Sequence, residues 1–318
     1  MTAFVFPGQG SQAVGMGQAL AGAFPEARAT FDEADQALGW RLSDVIFEGP
    51  VERLTLTENT QPAILTVSVA AWRVLDARGF RPDVVAGHSL GEYSAHVAAG
   101  TLAFADAVRL VHHRGQYMQE AVPLGHGAMA AILGLDEDAV RAACDEAAEG
   151  EVVSPANLNA AGQIVIAGTA AAVARAGERA KARGAKRVIP LQVSAPFHCA
   201  LMAPAEARLA PELRSVPVRD PQVPVIANVD ATPKLDAQAA VAALIRQVCA
   251  PVRWDATVRR LASDGVSAYV EVGPGTVLSG LIRRVARDAT VLNLEQPAGL
   301  AAIEALFGTD AARTSDQS

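Results

Sequence analysis

The sequence predicts an α/β protein: a parallel sheet covered by helices, into which a smaller unit is inserted. Short apolar runs typical of buried strands alternate with helix-like runs in the first half and again in the last third of the chain, and such alternation is typical of a parallel sheet. Between them the order changes to strand, helix, strand, strand, helix, strand. The 318 residues, 51% of them hydrophobic, supply ample core for this architecture.

The first half predicts a strand over residues 3–6, helical material as far as Leu38, and a helix over 62–78. A strand over 84–86 follows, and then helices to Val122. Because residues 84–86 are β-branched or small without a polar break, we expect that strand to be buried on both faces.

The central part predicts a βαββαβ unit, which is the split-βαβ, ferredoxin-like motif. Its runs cover residues 128–133, 136–149, 151–157, 163–167, 169–183 and 186–191. We expect a small ferredoxin-like domain over 123–195, a discontinuous large domain over 1–122 and 196–308, and a flexible polar tail over 309–318.

Beyond the insert the α/β alternation resumes. Strands are predicted over residues 223–227 and 268–272, and helices over 236–248, over 254–263 and after Pro274.

Composition limits the partners and the location. The net charge of −7 comes without a long basic run, so nucleic acid is not an expected partner. No apolar run reaches the roughly eighteen residues of a membrane span, and no secretory signal opens the chain, which predicts a cytoplasmic protein with no membrane partner. Cys144, Cys199 and Cys249 form no CxxC pair, so we expect reduced thiols and no metal site.

Gly87-His88-Ser89-Leu90-Gly91 is the most informative segment, because its Gly-x-Ser-x-Gly pattern joins a strand-like run to a helix-like run. That order is typical of a nucleophile elbow, in which a tight turn exposes a serine hydroxyl and glycine lets the backbone bend. We therefore interpret Ser89 as a candidate nucleophile.

A serine nucleophile needs a base, and spacing alone does not choose among six histidines. His198 is favoured because it lies on a Pro-interrupted loop leaving the inserted unit, where rigid elements hold loops over a cleft. His88 adjoins the serine and is better suited to supporting the turn.

The loop over residues 8–13 formally fits Gly-x-Gly-x-x-Ala, a dinucleotide-binding pattern. The acids about twenty residues on, Asp32, Glu33 and Asp35, fall in a helical stretch and not at a strand end, which disfavours that function. An alternative is that the glycines display the Gln9 side chain to a developing oxyanion. Arg114, on a predicted helix, could grip a carboxylate on the acyl group, although most helical arginines are only solvated.

Together these segments resemble the malonyl-CoA:acyl-carrier-protein transacylases of bacterial fatty-acid synthesis. The resemblance runs in order from the N-terminus to about residue 308. It is carried by residues 6–12, 87–93, 114–119, Asn157 with Asn159, His198 with Met202, Gln247 with 251–254, and 271–275.

The resemblance implies an α/β-hydrolase-like large domain with a ferredoxin-like small one, and ping-pong transfer of malonyl from coenzyme A to acyl carrier protein, without a cofactor. Ser89 would carry the malonyl ester and His198 would act as the base. The main-chain carbonyl of Gln247 would orient His198, and backbone amides of Gln9 and Leu90 would hold the oxyanion, in place of the Gln9 side chain.

The resemblance also implies how substrate and carrier are bound. Arg114 becomes the clamp for the malonyl carboxylate, and the Asn157 and Asn159 pair is expected to bind substrate. Phe197 resembles the residue found in malonyl-selective domains, where a bulky ring could exclude an α-methyl branch. The carrier protein is usually acidic, so Lys186 and Arg187 are candidates for docking it, unless they are merely a solvated strand end.

Two other functions stay open at this point. A serine thioesterase or esterase of the α/β-hydrolase type would place an acid between Ser89 and His198 in the chain, and Asp106, Asp136 and Asp138 among others lie there. A non-catalytic acyl-binding scaffold would keep the fold without the chemistry.

Overall fold

The computed structural model describes the backbone of residues 1–315 and the side chains of residues 1–308. The described strands are β1 (Thr2–Phe6), β2 (Val84–Gly87), β3 (Gly127–Leu133), β4 (Val153–Ala160), β5 (Gln163–Thr169), β6 (Arg187–Pro190), β7 (Val225–Ile226), β8 (Pro233–Lys234), β9 (Ala268–Val272) and β10 (Thr290–Leu294). The described α-helices are α1 (Gln18–Ala23), α2 (Pro25–Leu38), α3 (Leu42–Glu48), α4 (Val51–Leu54), α5 (Thr57–Asp76), α6 (Gly91–Ala98), α7 (Phe104–Glu120), α8 (Glu137–Ala148), α9 (Ala170–Ala182), α10 (Ala203–Ser215), α11 (Ala237–Gln247), α12 (Trp254–Ser263), α13 (Val277–Val285) and α14 (Leu300–Ser315).

A six-stranded sheet in the order β10-β9-β1-β2-β7-β8 forms the centre of the larger part. Its strands pair in parallel except β8, which pairs antiparallel with β7 at one edge. β1 is buried over its whole length: Phe4 and Phe6 enter the core on one face, and Ala3 and Val5 enter the core on the other. β2 is buried in the same way, with Val85 in one core and Val84 and Ala86 in the other, so the burial on both faces predicted for residues 84–86 is confirmed.

The edge strand β10 has no counterpart in the sequence prediction. It pairs with β9 alone, and of its five residues only Leu294 is buried. Its residues are mostly half-buried, and the sequence predicts a helix after Pro274 without a further strand.

Helix α5 begins at Thr57, five residues before the predicted start at Pro62. Proline is common at the first turn of a helix, but Pro62 lies inside this one and cannot donate to the carbonyl of Glu58 one turn earlier. His112 on α7 lies 2.9 Å from that carbonyl through its Nδ1. The neighbouring helix therefore supplies the hydrogen bond that the proline leaves out.

The four-stranded sheet is antiparallel in the order β4-β5-β3-β6, and α8 and α9 pack on it around a core of its own. This confirms the predicted ferredoxin-like order, and Asp136 caps α8 by accepting a hydrogen bond from Ala139 N–H. Val252 joins this sheet to the rest of the chain, because its carbonyl accepts from Leu158 and its N–H donates to Ala156. The limits of 123–195 for the small domain stay a prediction.

The predicted tail, residues 309–318, begins within α14, which is described to Ser315. Residues 316–318 lie outside the described part, and the tail stays a prediction. Within residues 1–315, every helix is too short or too polar to cross a lipid bilayer.

Candidate active site

Ser89 lies on the turn between β2 and α6, at the carboxyl end of a central strand. Its φ of 51° falls in the left-handed region that non-glycine residues rarely adopt. The flanking glycines serve close approach and do not carry the bend themselves: a Cβ on Gly87 would lie 1.9 Å from Gly91 C, and one on Gly91 would lie 2.0 Å from Phe6 O. This agrees with the expectation that only glycine fits beside the serine without side-chain clashes, while the left-handed backbone conformation itself falls on Ser89.

His198 lies directly against Ser89, with Nε2 at 2.7 Å from Oγ. Its other nitrogen, Nδ1, lies 2.9 Å from the carbonyl oxygen of Gln247, which accepts the Nδ1 proton. Nε2 then carries the free lone pair and faces the serine hydroxyl. Burial first, and then the charge of Arg114, lowers the pKa of His198 to about 3, so the ring is neutral.

Arg114 brings a positive charge into the same site although its side chain is almost fully buried. Side-chain amide oxygens accept its N–H groups, from Gln61 at 2.7 Å and from Gln247 at 2.9 Å, and the Ser89 hydroxyl lies 3.2 Å from it. The next residue, Gly115, lets α7 approach α5, because a Cβ there would lie 2.6 Å from the Cα of Glu58. A buried cation held by neutral amides is suited to a carboxylate ligand.

Two backbone N–H groups near Ser89, those of Gln9 and Leu90, are available to a ligand, whereas the N–H of Ser89 itself is already bound. Asn228 Oδ1 accepts the Ser89 N–H at 2.7 Å, and its Nδ2 donates to the Gly87 carbonyl at 2.7 Å. The N–H groups of Gln9 and Leu90 donate to no acceptor within the described residues. They are the residues for which the sequence predicts oxyanion binding.

A cavity of about 290 Å³ opens over the serine, between the two sheets. Its lining residues come from both parts of the chain: Gln9, Gly10, Gln12, Gln61, His88, Ser89, Arg114, Met118, Met129, Asn157, Leu191, Gln192, Val193, Phe197 and His198. Ser89, His198 and Arg114 therefore share one cavity, with Asn157 and Phe197 on its walls.

Asn159 lies behind this cavity and not on its wall. Its Oδ1 is 2.9 Å from Nε2 of His88, whose ring also packs against Trp254 at 5.8 Å between ring centres. Burial lowers the pKa of His88, so this ring too is neutral. His88 thus joins the serine turn to β4, which agrees with its expected supporting role.

The acids that kept an esterase triad open lie away from His198. Asp106 pairs with Arg109, Asp136 caps α8, and Asp138 is exposed on α8.

The glycine pattern over residues 8–13, which formally fits dinucleotide binding, has another explanation, because a Cβ on Gly8 would lie 2.4 Å from the His88 carbonyl. That glycine lets the first loop pack against the serine turn.

Three further residues complete the site and were not singled out from the sequence. Asn228 holds the serine turn, Gln61 holds Arg114, and the fully buried Glu92 accepts from Gln247 Nε2 at 2.8 Å. Glu92 lies within the segment 87–93 that carries the resemblance, but no role was assigned to it. Its place directly after Gly91 is the one local signal, whereas Asn228 and Gln61 carry none.

The candidates for carrier docking and for thiol chemistry lie elsewhere. Lys186 and Arg187 are exposed at the start of β6 on the small sheet. Cys199 is a free thiol that is 1% exposed, and burial raises its pKa to about 11, which suits a packing role.

The fold and the site define an α/β protein in which a nucleophile elbow and a histidine face a buried arginine. The family model described as the acyl transferase domain matches residues 3–303, and the chain belongs to that family.

Individual relatives are close along almost the whole chain. It is 54% identical over 301 residues to the malonyl CoA-acyl carrier protein transacylase of Salmonella typhimurium, with 94% of this chain and 97% of the relative covered. The protein of the same name from Bacillus subtilis is 50% identical, with 93% of each chain covered.

Solved structures agree with this family. An acyl carrier protein S-malonyltransferase from Vibrio cholerae superposes with a TM-score of 0.93 at 50% identity, covering 95% of this chain and 99% of the other. A type II PKS acyl-carrier protein in complex with its malonyl-transacylase matches with a TM-score of 0.93 at 49% identity, covering 96% of this chain and 99% of the other.

Proposed function

We propose that the protein transfers malonyl groups from coenzyme A to the phosphopantetheine thiol of an acyl carrier protein. Its relatives carry the name malonyl CoA-acyl carrier protein transacylase, which supports the malonyl donor and the carrier acceptor. The observation that carries the proposal is the placement of Arg114 within 3.2 Å of the hydroxyl of Ser89, which itself faces a neutral His198. A hydrolase of simple esters has no use for a buried cation beside its nucleophile. An acyl group that carries its own carboxylate does.

In the first half-reaction Ser89 Oγ attacks the thioester carbonyl while His198 Nε2 takes the hydroxyl proton. The oxyanion is held by the N–H groups of Gln9 and Leu90. The C–S bond then breaks, the proton passes from His198 to the departing coenzyme A sulfur, and malonyl remains on Ser89 as an ester.

The second half-reaction runs the same steps in reverse with the carrier thiol as nucleophile. His198 takes the thiol proton, sulfur attacks the ester, and Ser89 recovers its proton. Binding the malonyl carboxylate at Arg114 fixes the acyl group for this attack. Burial is the larger cause of the lowered pKa of His198, and the carboxylate offsets only the smaller contribution, that of the Arg114 charge.

Substrate and carrier contacts complete the proposal. Asn157 and Asn159 belong to the substrate-binding region, the first on the cavity wall and the second through His88. Lys186 and Arg187 dock the acidic carrier.

The domain organisation and the location follow. A discontinuous large domain over 1–122 and 196–308 contains the reacting residues, and a small domain over 123–195 forms the other side of the cleft. The free thiols and the resemblance to fatty-acid synthesis enzymes support a cytoplasmic location.

Mass spectrometry after incubation with malonyl-CoA tests the proposal. We expect a malonyl adduct on Ser89 that disappears when holo carrier protein is added and that does not form in Ser89→Ala. Ser94→Ala, a matched serine on the same segment, should keep the adduct. Release of free malonate without a carrier would indicate a thioesterase, and a protein that forms no adduct would be a scaffold.

A further inference from the structure

Glu92 is a fully buried carboxylate that the proposed reaction does not use. Its Oε2 accepts two hydrogen bonds, from the side-chain Nε2 of Gln247 at 2.8 Å and from the backbone N–H of Asn228 at 2.9 Å. Its Oε1 has no partner among the described residues. Burying a carboxyl group with one oxygen unpaired is costly, so this position needs an explanation.

Both donors lead directly to the groups that line the cavity. Gln247 holds His198 through its carbonyl oxygen and Arg114 through its Oε1. Asn228 holds the backbone N–H of Ser89. Glu92 is therefore one hydrogen-bonded residue away from each of the three groups.

The direction of the Gln247 amide depends on Glu92. In the observed orientation Nε2 also donates to the Ser89 carbonyl at 2.9 Å, while Oε1 faces Arg114. A reversed amide would oppose donor to donor at Arg114 and acceptor to acceptor at Glu92 and at the Ser89 carbonyl. Removing the Glu92 acceptor weakens the preference for the observed direction.

We propose that Glu92 is a positioning residue, whose Oε2 sets the direction of the Gln247 amide and, with Asn228, the alignment of Ser89, His198 and Arg114. The effect on malonyl transfer rests on the proposed function, whereas the effect on the Ser89 and His198 pair does not.

The role belongs to the acceptor oxygen and not to the charge. Burial raises the pKa of Glu92 to about 7, and a proton on the unpartnered Oε1 leaves Oε2 free to accept both bonds. Glutamine can place its oxygen at the same point with its NH₂ group on the Oε1 side. Aspartate keeps the charge but is one methylene shorter, so it reaches the two donors less well.

Reaction with phenylmethylsulfonyl fluoride measures the pair without any acyl substrate. Ser89 Oγ displaces fluoride from sulfur and His198 takes the hydroxyl proton, so the rate of sulfonylation reports their alignment even if malonyl transfer is absent. The variants are Glu92→Gln, Glu92→Asp and Glu92→Leu, with malonyl and acetyl transfer measured in parallel. Glu271→Leu is the matched control, because Glu271 is another buried carboxylate and accepts from the N–H groups of Leu278 and Ser279.

We expect Glu92→Leu to lose about 10- to 100-fold in sulfonylation rate, because two buried donors lose their acceptor and the Gln247 amide loses its fixed direction. Glu92→Gln should stay within about threefold of the parent and Glu92→Asp should fall between the two. Malonyl transfer should fall further than acetyl transfer, because Arg114 is misplaced as well. Glu271→Leu should lower the melting temperature without lowering the sulfonylation rate of the folded protein.

A Glu92→Leu variant as reactive as the parent would overturn the proposal. So would a Glu92→Asp variant more reactive than Glu92→Gln, since that order assigns the effect to charge. If Glu92→Leu does not fold, the order of the other two variants decides. If the parent is sulfonylated but transfers no malonyl, the proposed function fails while the positioning role is still tested.

Discussion

The two walls of the cavity are built differently. The first wall comes from the part with the parallel sheet and consists of Gln9, Gln61, Ser89 and Arg114. Its polar groups are held by hydrogen bonds from several elements. The second wall consists of Met129, Leu191, Val193 and Phe197, together with Asn157, and is mostly apolar. The comparison teaches that the charged and hydrogen-bonding groups are concentrated on one wall, beside His198, while the other wall is a mostly apolar surface.

Arg114→Ala removes the charged side chain of the first wall and should have the largest effect on transfer. Malonyl transfer should fall by about 100-fold, since the carboxylate loses a bidentate, charge-assisted partner. Acetyl transfer, which has no carboxylate to lose, should change only a few-fold. Steady-state rates with the two thioesters measure the difference.

Arg109→Ala is the control for this experiment, because Arg109 lies on the same helix in an exposed pair with Asp106. It should leave both rates unchanged. Equal losses for malonyl and acetyl in Arg114→Ala would assign the arginine to general stability and remove the clamp.

Phe197→Ala tests the second wall, with a smaller expected effect. Removing the ring should make space for an α-methyl branch and raise methylmalonyl transfer relative to malonyl by about tenfold, the usual value of one methyl group in an apolar pocket. Competition between the two thioesters gives this ratio directly. If the ratio stays constant while both rates drop, Phe197 supports His198 and does not select the substrate.

Lys186 and Arg187 lie outside the cavity, so replacing both with glutamate should have the smallest effect on transfer. Reversing two exposed charges should raise the apparent KM for an acidic carrier by about three- to tenfold at low salt, with malonyl loading from coenzyme A unaffected. Arg259→Glu with Arg260→Glu makes the same change of charge on α12 and serves as the control. An unaltered KM would show that the carrier docks elsewhere.

The sequence predicted the parts of this molecule that have a local signal. Residues 84–86 and the serine turn were predictable because burial on both faces and a required tight turn each restrict residue type. The βαββαβ order followed from alternation alone. Ser89 was proposed from its turn and His198 from its loop, whereas the role of Arg114 as a carboxylate clamp came only from the resemblance; the spacing of the three in the chain does not show that they meet.

The remaining features depend on contacts between distant segments. A backbone carbonyl exists at every residue, so nothing in the residue type of Gln247 shows that its carbonyl faces His198. Asn228 follows a two-residue strand and has no pattern around it. The start of α5 was misplaced because the Glu58 carbonyl, which Pro62 leaves without a helical donor, is bound by His112. That residue lies on a helix fifty residues later in the chain, where no local pattern reveals the contact.

That last contact links two positions in evolutionary terms. A residue other than proline at position 62 would bring its own N–H to the Glu58 carbonyl, which has two lone pairs and would no longer depend on His112. Losing His112 while keeping Pro62 leaves the carbonyl without its donor. Among relatives, proline at position 62 should therefore occur together with a hydrogen-bond donor that reaches the carbonyl of position 58, whereas other residues at 62 should leave position 112 free to vary.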